Sequence, residues 1–372
     1  MSKKDNYCRV LNLWLDSLEF NQASSVKELG VVKAILKGEK IDSELLVSDL
    51  RVFQKSGQLI GISQEKIGEL NKLLDNSDCK MKTSPNHLKK IMLEVFNKQE
   101  YKLLDSITAT THEVYIVMVN EKKYAIRIAT KDKPAFYTEL WALKNSKRLN
   151  ISAPELIAGD DSKKVIPFRF TVETFIEGYH VPSTEKGKLK IAYDKLSQTT
   201  LKKIHKNVTS GFGPLDEHGK GRYATWQDFL QAKFEKAYRE LKKQGILPIS
   251  TLRKIDNIHN TYIKEIQVQT PKIILGDLHP KNFFVQNSSF CFVDLKSIMG
   301  GDPLWEYGLI NYYLDIEIWP SYVARTNSAL RRYQYYLINI TINKLWFHHQ
   351  HKQDCTGPKE KLKRYLANFP DQ

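Results

Sequence analysis

Apolar positions recur at helical spacing early in the chain, at Val10, Leu11, Leu13, Trp14, Leu15 and Leu18, and again at Ile67, Leu70, Leu73 and Leu74. That period predicts mainly helices over residues 7–95. Gly57 and Gly61 fall in a turn region, and residues 80–86 read as a connector in which Ser84 before Pro85 opens the next helix. Past residue 96 the pattern changes. Val114-Tyr115-Ile116-Val117-Met118-Val119, then polar Asn120-Glu121-Lys122-Lys123, then Tyr124-Ala125-Ile126-Arg127-Ile128 read as strand, turn, strand. A helix starting near Pro134 carries Phe136, Leu140 and Leu143 on one face, with Glu139 beside them. Further on, Phe283-Phe284-Val285 and Phe290-Cys291-Phe292-Val293 flank the polar Gln286-Asn287-Ser288-Ser289, the pattern of a β-hairpin with a four-residue loop.

Composition narrows the class. An apolar fraction of 41% over 372 residues is enough for a folded protein of two or three domains. The opening Met1-Ser2-Lys3-Lys4-Asp5-Asn6 has no apolar signal core, and no apolar run reaches membrane-spanning length. Cys8, Cys79, Cys291 and Cys355 form no Cys-x-x-Cys pair, which argues against a zinc site or disulfide framework and for a cytoplasmic location. The net charge is +15, but the basic residues are spread along the chain without an Arg/aromatic recognition motif. A solvated basic surface is expected, and no specific nucleic-acid site.

The hairpin adds chemistry. Asp277 and Asn282 precede its first strand and Asp294 closes its second, so three oxygen-bearing side chains gather at one end of a short ribbon. Phosphoryl-transfer enzymes of the kinase type use an Asp to orient the attacking hydroxyl, an Asn five residues on to hold magnesium, and a second Asp to bind metal at the phosphates. A carboxylate and an amide suit magnesium's demand for oxygen ligands.

Leu275-Gly276-Asp277-Leu278-His279-Pro280-Lys281-Asn282, then Val293-Asp294, then Gly301-Asp302-Pro303-Leu304-Trp305-Glu306 resembles the aminoglycoside phosphotransferase and choline kinase-like family. Gly276 stands before the Asp where protein kinases carry Arg, and Asp294 is followed by Leu-Lys instead of Phe-Gly. Two positions depart from the family pattern: Leu275 replaces its His, and Glu306 stands where Asp is common. Asp302-Pro303 also reads as the start of a helix, an Asp N-cap followed by Pro.

The resemblance covers roughly residues 100–345. It implies an α+β, bilobal protein-kinase-like fold with an additional N-terminal helical domain. The expected divisions are a helical domain at 1–95, a small nucleotide-binding lobe at 96–178, and a large catalytic and substrate-binding lobe at 179–372. By resemblance, Arg127 contacts nucleotide phosphates and Glu139 is the acid that fixes it. Main-chain groups from Thr174 to Ile176 would meet adenine at the hinge. Ser106 to Glu113 stands in for the phosphate-covering loop; it has no glycine, and Thr108, Thr110 and Thr111 offer hydroxyls in its place.

The implied reaction is magnesium-dependent transfer of the γ-phosphoryl of ATP to a hydroxyl of a small molecule, with GTP an open alternative. Asp277 is the expected catalytic residue; Asn282 and Asp294 are the expected magnesium ligands. An aminoglycoside or other antibiotic, an amino alcohol and a sugar all fit as acceptor. Two rival readings stand beside this one: a protein or lipid kinase that recruits a macromolecule through the N-terminal domain, and a non-catalytic kinase-like binding module. His205, ending a Leu-x-x-Ile-His segment, is expected to pack or cap a helix instead of acting as a base. The aromatic-rich stretch from Trp305 to Trp346 is read first as core. An aromatic cage with Asp315 or Glu317 for a cationic ligand is the alternative. His348, His349 and His351 are read as a solvated tail more than a metal site.

Overall fold

The computed structural model describes residues 83, 85–98, 100–108, 112–129, 135–166, 168–182, 184–286 and 289–369. The helices expected over residues 7–82, the hydroxyls of Thr110 and Thr111, the helix start at Pro134 and the hairpin tip at 287–288 lie outside them. The chain divides into two compact units, the first including residues up to 136 and 155–175, the second comprising 137–154 and 176–372.

The first unit is an antiparallel sheet with one helix on it. Strands β1 (Lys102–Thr108), β2 (His112–Val119), β3 (Lys122–Ala129), β4 (Leu156–Asp160) and β5 (Arg169–Thr174) lie in the order β1-β2-β3-β5-β4. β2 and β3 meet through Asn120-Glu121, both at positive φ, the mirror-image turn whose twist matches the strands it joins. Helix α1 (Pro85–Phe96) begins on a proline and buries His87, Leu88, Ile91 and Met92, spaced one turn apart. Those residues pack with Val117, Val119, Ile126, Ile128, Phe170 and Val172 of the sheet. Residues 85–95, which fall inside the N-terminal block drawn from sequence, thus contribute to the sheet's core.

The second unit is mainly helical. It holds α2 (Ala135–Asn145) from Tyr137 onward, and α3 (Lys186–Leu196), which runs through one π turn at Ser197–Leu201 into residues 202–204. Strands β6 (Phe212–Leu215), β7 (Gly221–Tyr223), β8 (Lys272–Ile274) and β11 (Met299–Gly301) form a sheet in the order β7-β6-β11-β8. Strands β9 (Phe283–Gln286) and β10 (Ser289–Phe292) pair separately as the expected hairpin, but Gln286 and Ser289 pair with each other, so two of the four residues expected in the loop belong to the strands. The long helices are α4 (Trp226–Lys243), α5 (Ile249–Tyr262), α6 (Pro303–Leu314), α7 (Asn327–Gln350) and α8 (Thr356–Ala367).

Helix starts follow local chemistry. Thr225 and Asp228 close a reciprocal capping box on α4, and Asp302 accepts from the Leu304 N–H ahead of Pro303 on α6. The aromatic stretch is largely core: Trp305, Tyr307, Tyr335 and Tyr336 are buried. Trp226 stacks on Phe229 at 4.8 Å and meets Trp305 edge-on at 5.9 Å. Among the described residues no helix is long and apolar enough to cross a membrane, and no group of three His, Cys, Asp or Glu side chains could hold a metal ion.

Candidate active site

The site is built on the loop that leaves β8. Ile273 and Ile274 are buried, so the apolar run fixes the strand, and the chain then turns at Gly276 with φ of 75°. A Cβ there would collide with the Ser297 carbonyl oxygen, so this turn requires glycine on two counts, left-handed backbone and close approach. Glu306 on α6 holds the loop from behind. Its Oε1 accepts the N–H groups of Leu275 and of Gly276, the latter at 3.0 Å, and its Oε2 lies 2.6 Å from His205 Nε2. His205 Nδ1 in turn meets the Tyr322 hydroxyl. The sequence expectation that His205 has a packing role agrees with this arrangement: it is a buried brace. Tyr193 on α3 donates its hydroxyl to the Leu278 carbonyl, a third restraint on the same loop.

Asp277 and Asn282 come together as expected. Asn282 Nδ2 donates to Asp277 Oδ2 at 3.2 Å and to the Asp277 carbonyl at 3.1 Å. The Val293 N–H donates to the Asn282 carbonyl at 2.9 Å, which ties the exit of the hairpin to its entrance and sets Asp294 beside Asn282 in the chain path. Asp294 has left-handed backbone (φ 60°, ψ 52°), a conformation Asp tolerates better than most residues. Its Oδ2 lies 2.7 Å from Lys296 Nζ.

Tyr313 on α6 donates to Asp277 Oδ1 at 2.8 Å, and Lys344 on α7 lies 2.5 Å from that hydroxyl and 3.7 Å from Asp277 Oδ1. Burial, then the negative charge of Asp277, pushes the Tyr313 hydroxyl well above its ordinary pKa, so it stays a neutral donor. His279 sits edge-on to Tyr313 at 4.9 Å, and burial lowers its pKa against the pull of Asp277. Asp277 remains 32% exposed, with Tyr313 and Asn282 taking one acceptor site on each oxygen. A carboxylate has about four such sites, so a hydroxyl can still bind there.

In the first unit, Arg127 projects from β3 and its Nη1 lies 3.7 Å from Glu173 Oε1 on the neighbouring β5. Thr171 donates to the same Glu173 oxygen at 2.6 Å, and Arg127 Nη2 is 3.4 Å from His112 Nε2. Thr108 closes β1 opposite Glu113 and is exposed. The Thr174 N–H donates to the Glu155 carbonyl and the Phe175 N–H to the Lys123 carbonyl. In the second unit, Glu139 is buried on α2 and Ile176 begins the stretch after β5.

Motif reading missed Tyr313 and Lys344 beside Asp277, Lys296 beside Asp294, and, in the first unit, Glu173 beside Arg127. The burial of a glutamate inside the strand 168–178 was the available signal for Glu173. Lys296 directly follows the Asp-Leu pair, but Lys344 carries no local signal. Asp315 and Glu317, the candidate acids of a cation cage, are already engaged: Asp315 with Lys361 at 2.6 Å and Arg364 at 2.5 Å, Glu317 with Arg325. His348 meets the Asp354 carbonyl at 2.7 Å near the end of α7.

Comparison with known proteins agrees with the geometry. The model of the phosphotransferase enzyme family matches residues 107–336. No curated protein matches the chain closely enough to serve as a relative. Among solved structures, aminoglycoside phosphotransferase APH(4)-Ia superposes with a TM-score of 0.61 at 15% identity, covering 77% of this chain and all of that one. A thermostable mutant of that enzyme, in a ternary complex with AMP-PNP and hygromycin B, gives 0.59 at 16% identity, with 75% and 97% covered. A fructosamine-3-kinase assigned in Thermobifida fusca YX-ER1 gives 0.53 at 15% identity, with 76% and 98% covered. At such identities these likenesses establish the protein-kinase-like fold. The family match spans more than half the chain, and the chain therefore belongs to the phosphotransferase enzyme family, as a phosphotransferase acting on a hydroxyl acceptor.

Proposed function

We propose that this protein transfers the γ-phosphoryl of ATP, with magnesium, to a hydroxyl of a small molecule. The observation that carries the reading is the closed pair of Asp277 and Asn282 at the entrance of the β9–β10 hairpin, with Asp294 at its exit on the same end. Asp277 would accept the proton of the bound hydroxyl as its oxygen forms a bond to the γ-phosphorus. The bond from that phosphorus to the bridging oxygen breaks in the same displacement, and ADP leaves. Tyr313 and Asn282 hold the carboxylate so that the incoming hydroxyl meets a fixed acceptor.

The residues fit magnesium. The Asn282 amide nitrogen is spent on Asp277, which leaves its oxygen for a cation, and Asp294 supplies a carboxylate, so the donors are hard oxygens. Nucleotide phosphates and water would complete such a shell. When bound, magnesium supplies charge neutralisation at the phosphates.

Arg127, with a fork able to grip two oxygens, is assigned to the phosphates, with Glu173 and Glu139 as the acids that set it. Thr108, Thr110 and Thr111 are assigned to the loop over the phosphates. At the hinge, the N–H groups of Thr174 and Phe175 are spent within the sheet, so a base there would use carbonyl groups or the Ile176 N–H. ATP is the assigned donor, with GTP the alternative.

The test is magnesium-dependent phosphate transfer from ATP and from GTP across a panel of small hydroxyl compounds, with lipids and proteins included. The reading expects one small compound to be phosphorylated and Asp277→Asn to remove about 10²–10⁴-fold of the rate. Transfer only to lipid or protein would replace it, and failure to bind nucleotide would end it.

A further inference from the structure

The surroundings of Asp277 are basic. Lys344 Nζ lies 3.7 Å from its Oδ1 and 5.0 Å above the Tyr313 ring. Helix α4 runs beside α7. Lys233 Nζ sits 5.8 Å from the Phe229 ring, and Lys236 Nζ lies 5.1 Å from the Trp346 ring on α7, one turn further along. Lys233 is half-buried at its surface but packed among protein atoms. That burial, followed by the repulsion of Lys344, pushes its pKa down to about 8 against the attraction of Asp277. Lys344 is therefore within ion-pair distance of the carboxylate, and Lys233 is close enough to feel both charges.

The acids of the neighbouring elements do not offset them. On α6 and the loop after it, Asp315 is held by Lys361 and Arg364, and Glu317 by Arg325. Glu306 is fully buried on His205 and the loop N–H groups, and Asp302 on Tyr336 and Arg332. On α4, Glu235 pairs with Arg239 at 3.1 Å and Asp228 caps its own helix. On α3, Asp194 pairs with Lys190 at 2.8 Å. A polycation bound at Asp277 would stand against the ammonium of Lys344. An acceptor carrying negative charge would relieve the mutual repulsion of Lys344 and Lys233 instead.

We propose that the acceptor is an anion: a small hydroxy compound whose carboxylate or phosphate group is received by Lys344 and Lys233 while its hydroxyl meets Asp277. This rests on the kinase reading above for the role of Asp277. The short separation of Lys344 from Asp277 requires the two groups to lie close together on the molecule. Lys296, the cation beside Asp294, is the separate partner on the metal side, which leaves Lys344 and Lys233 for the acceptor.

The experiment uses the full chain with magnesium and ATP and follows ADP formation with matched acceptors. These are gluconate and glycerate, glucose 6-phosphate and glycerol 3-phosphate, their neutral parents glucose and glycerol, and the polycation kanamycin. The proposal expects anionic compounds to exceed their neutral parents at least about tenfold in kcat/KM, the worth of one charged hydrogen bond. The carboxylate and phosphate arms tell which oxyanion is read. Lys344→Met should raise KM for the best anion about 10- to 100-fold with kcat nearly kept. Faster turnover of neutral or cationic compounds overturns the proposal, as does a fall in kcat at unchanged KM, which would place Lys344 on the transferred phosphoryl group.

In parallel, NMR of 13C-labelled lysines reads binding without turnover. Shifts of the Lys233 and Lys344 signals by gluconate or glucose 6-phosphate, but not by glucose, support the anion site even if no ADP forms, and then only the kinase reading falls. Turnover with no such shifts leaves the kinase reading intact and overturns the anion site.

Discussion

Asp277 and Glu306 are two carboxylates at one loop, the first carried by it and the second reaching it from α6, and they have opposite surroundings. Glu306 is fully buried, accepts the two N–H groups that precede Asp277, and bonds to His205. Asp277 is 32% exposed and makes hydrogen bonds to Tyr313 and Asn282 that leave acceptor sites open. A fully satisfied buried acid cannot exchange a proton with a ligand without breaking its own network, so it serves to hold the loop. A partly exposed acid held by neutral donors can. Burial separates the residue that positions from the residue proposed to react.

The largest effects test that division directly. Asp277→Asn keeps the shape and should cost about 10²–10⁴-fold in kcat while leaving the urea midpoint in place. Glu306→Ala strands His205 and two buried N–H groups, and a loss of about 3–5 kcal/mol is expected in urea unfolding. If the two substitutions destabilised equally, or if Glu306→Ala left the midpoint unmoved, the division would be wrong.

The same contrast holds among the bases, and pH exposes it. His259 on α5 is buried, stacked on Phe234 at 3.6 Å and bonded to Tyr335 and Gln231. Burial pushes its pKa down to about 4, with Asp256 and Glu235 opposing, while in the unfolded chain it titrates near 6.5. Between those values unfolding takes up a proton. The stability that goes with a neutral His259 is therefore complete above pH 6.5 and lost as pH falls toward 4. The shift corresponds to roughly 3 kcal/mol at most. Urea midpoints measured from pH 7 to 4 should fall through that window, and His259→Phe should flatten the fall.

How much of this was legible in sequence depended on distance along the chain. Asp277, Asn282 and Asp294 flank one hairpin, so residue type and spacing were enough to expect them at one end of it. Asp302-Pro303 announced both a motif and a helix start, and the observed N-cap bond to Leu304 agrees with the second reading. The Asn120-Glu121 turn also followed from local chemistry. Tyr313, Lys344 and Lys233 come from three helices, and only the packing of α4, α6 and α7 brings them to Asp277. In a helix pattern each looks like an ordinary core ring or a solvated lysine. Glu173 was hidden for a related reason: its partner Arg127 lies on the adjacent strand, and sheet order cannot be read from one strand's alternation. The ring-rich stretch after Trp305 reads first as core, with a ligand cage as the alternative, and burial of Trp305, Tyr307, Tyr335 and Tyr336 agrees with core for those four.

Lys233 gives the smallest effect and the finest separation of the two kinds of group. Its pKa is pushed down to about 8 from the lysine value of 10.5, first by burial and then by Lys344. In the free protein, unfolding takes up a proton between pH 8 and 10.5, so this group alone makes the fold more stable as pH rises through that window. Binding of an oxyanion has the opposite sign. It needs the ammonium form, so affinity is complete below pH 8 and weakens above it as the proton is lost. A group that merely holds the structure would change stability alone; Lys233 should move stability up and acceptor affinity down over the same range. Measuring KM for the preferred anionic acceptor and the urea midpoint from pH 7 to 10 checks both, and Lys233→Met should flatten both trends together. If KM stays level across pH 8 while the midpoint rises, Lys233 belongs with His259 among the groups that hold, and Lys344 is left to meet the acceptor by itself.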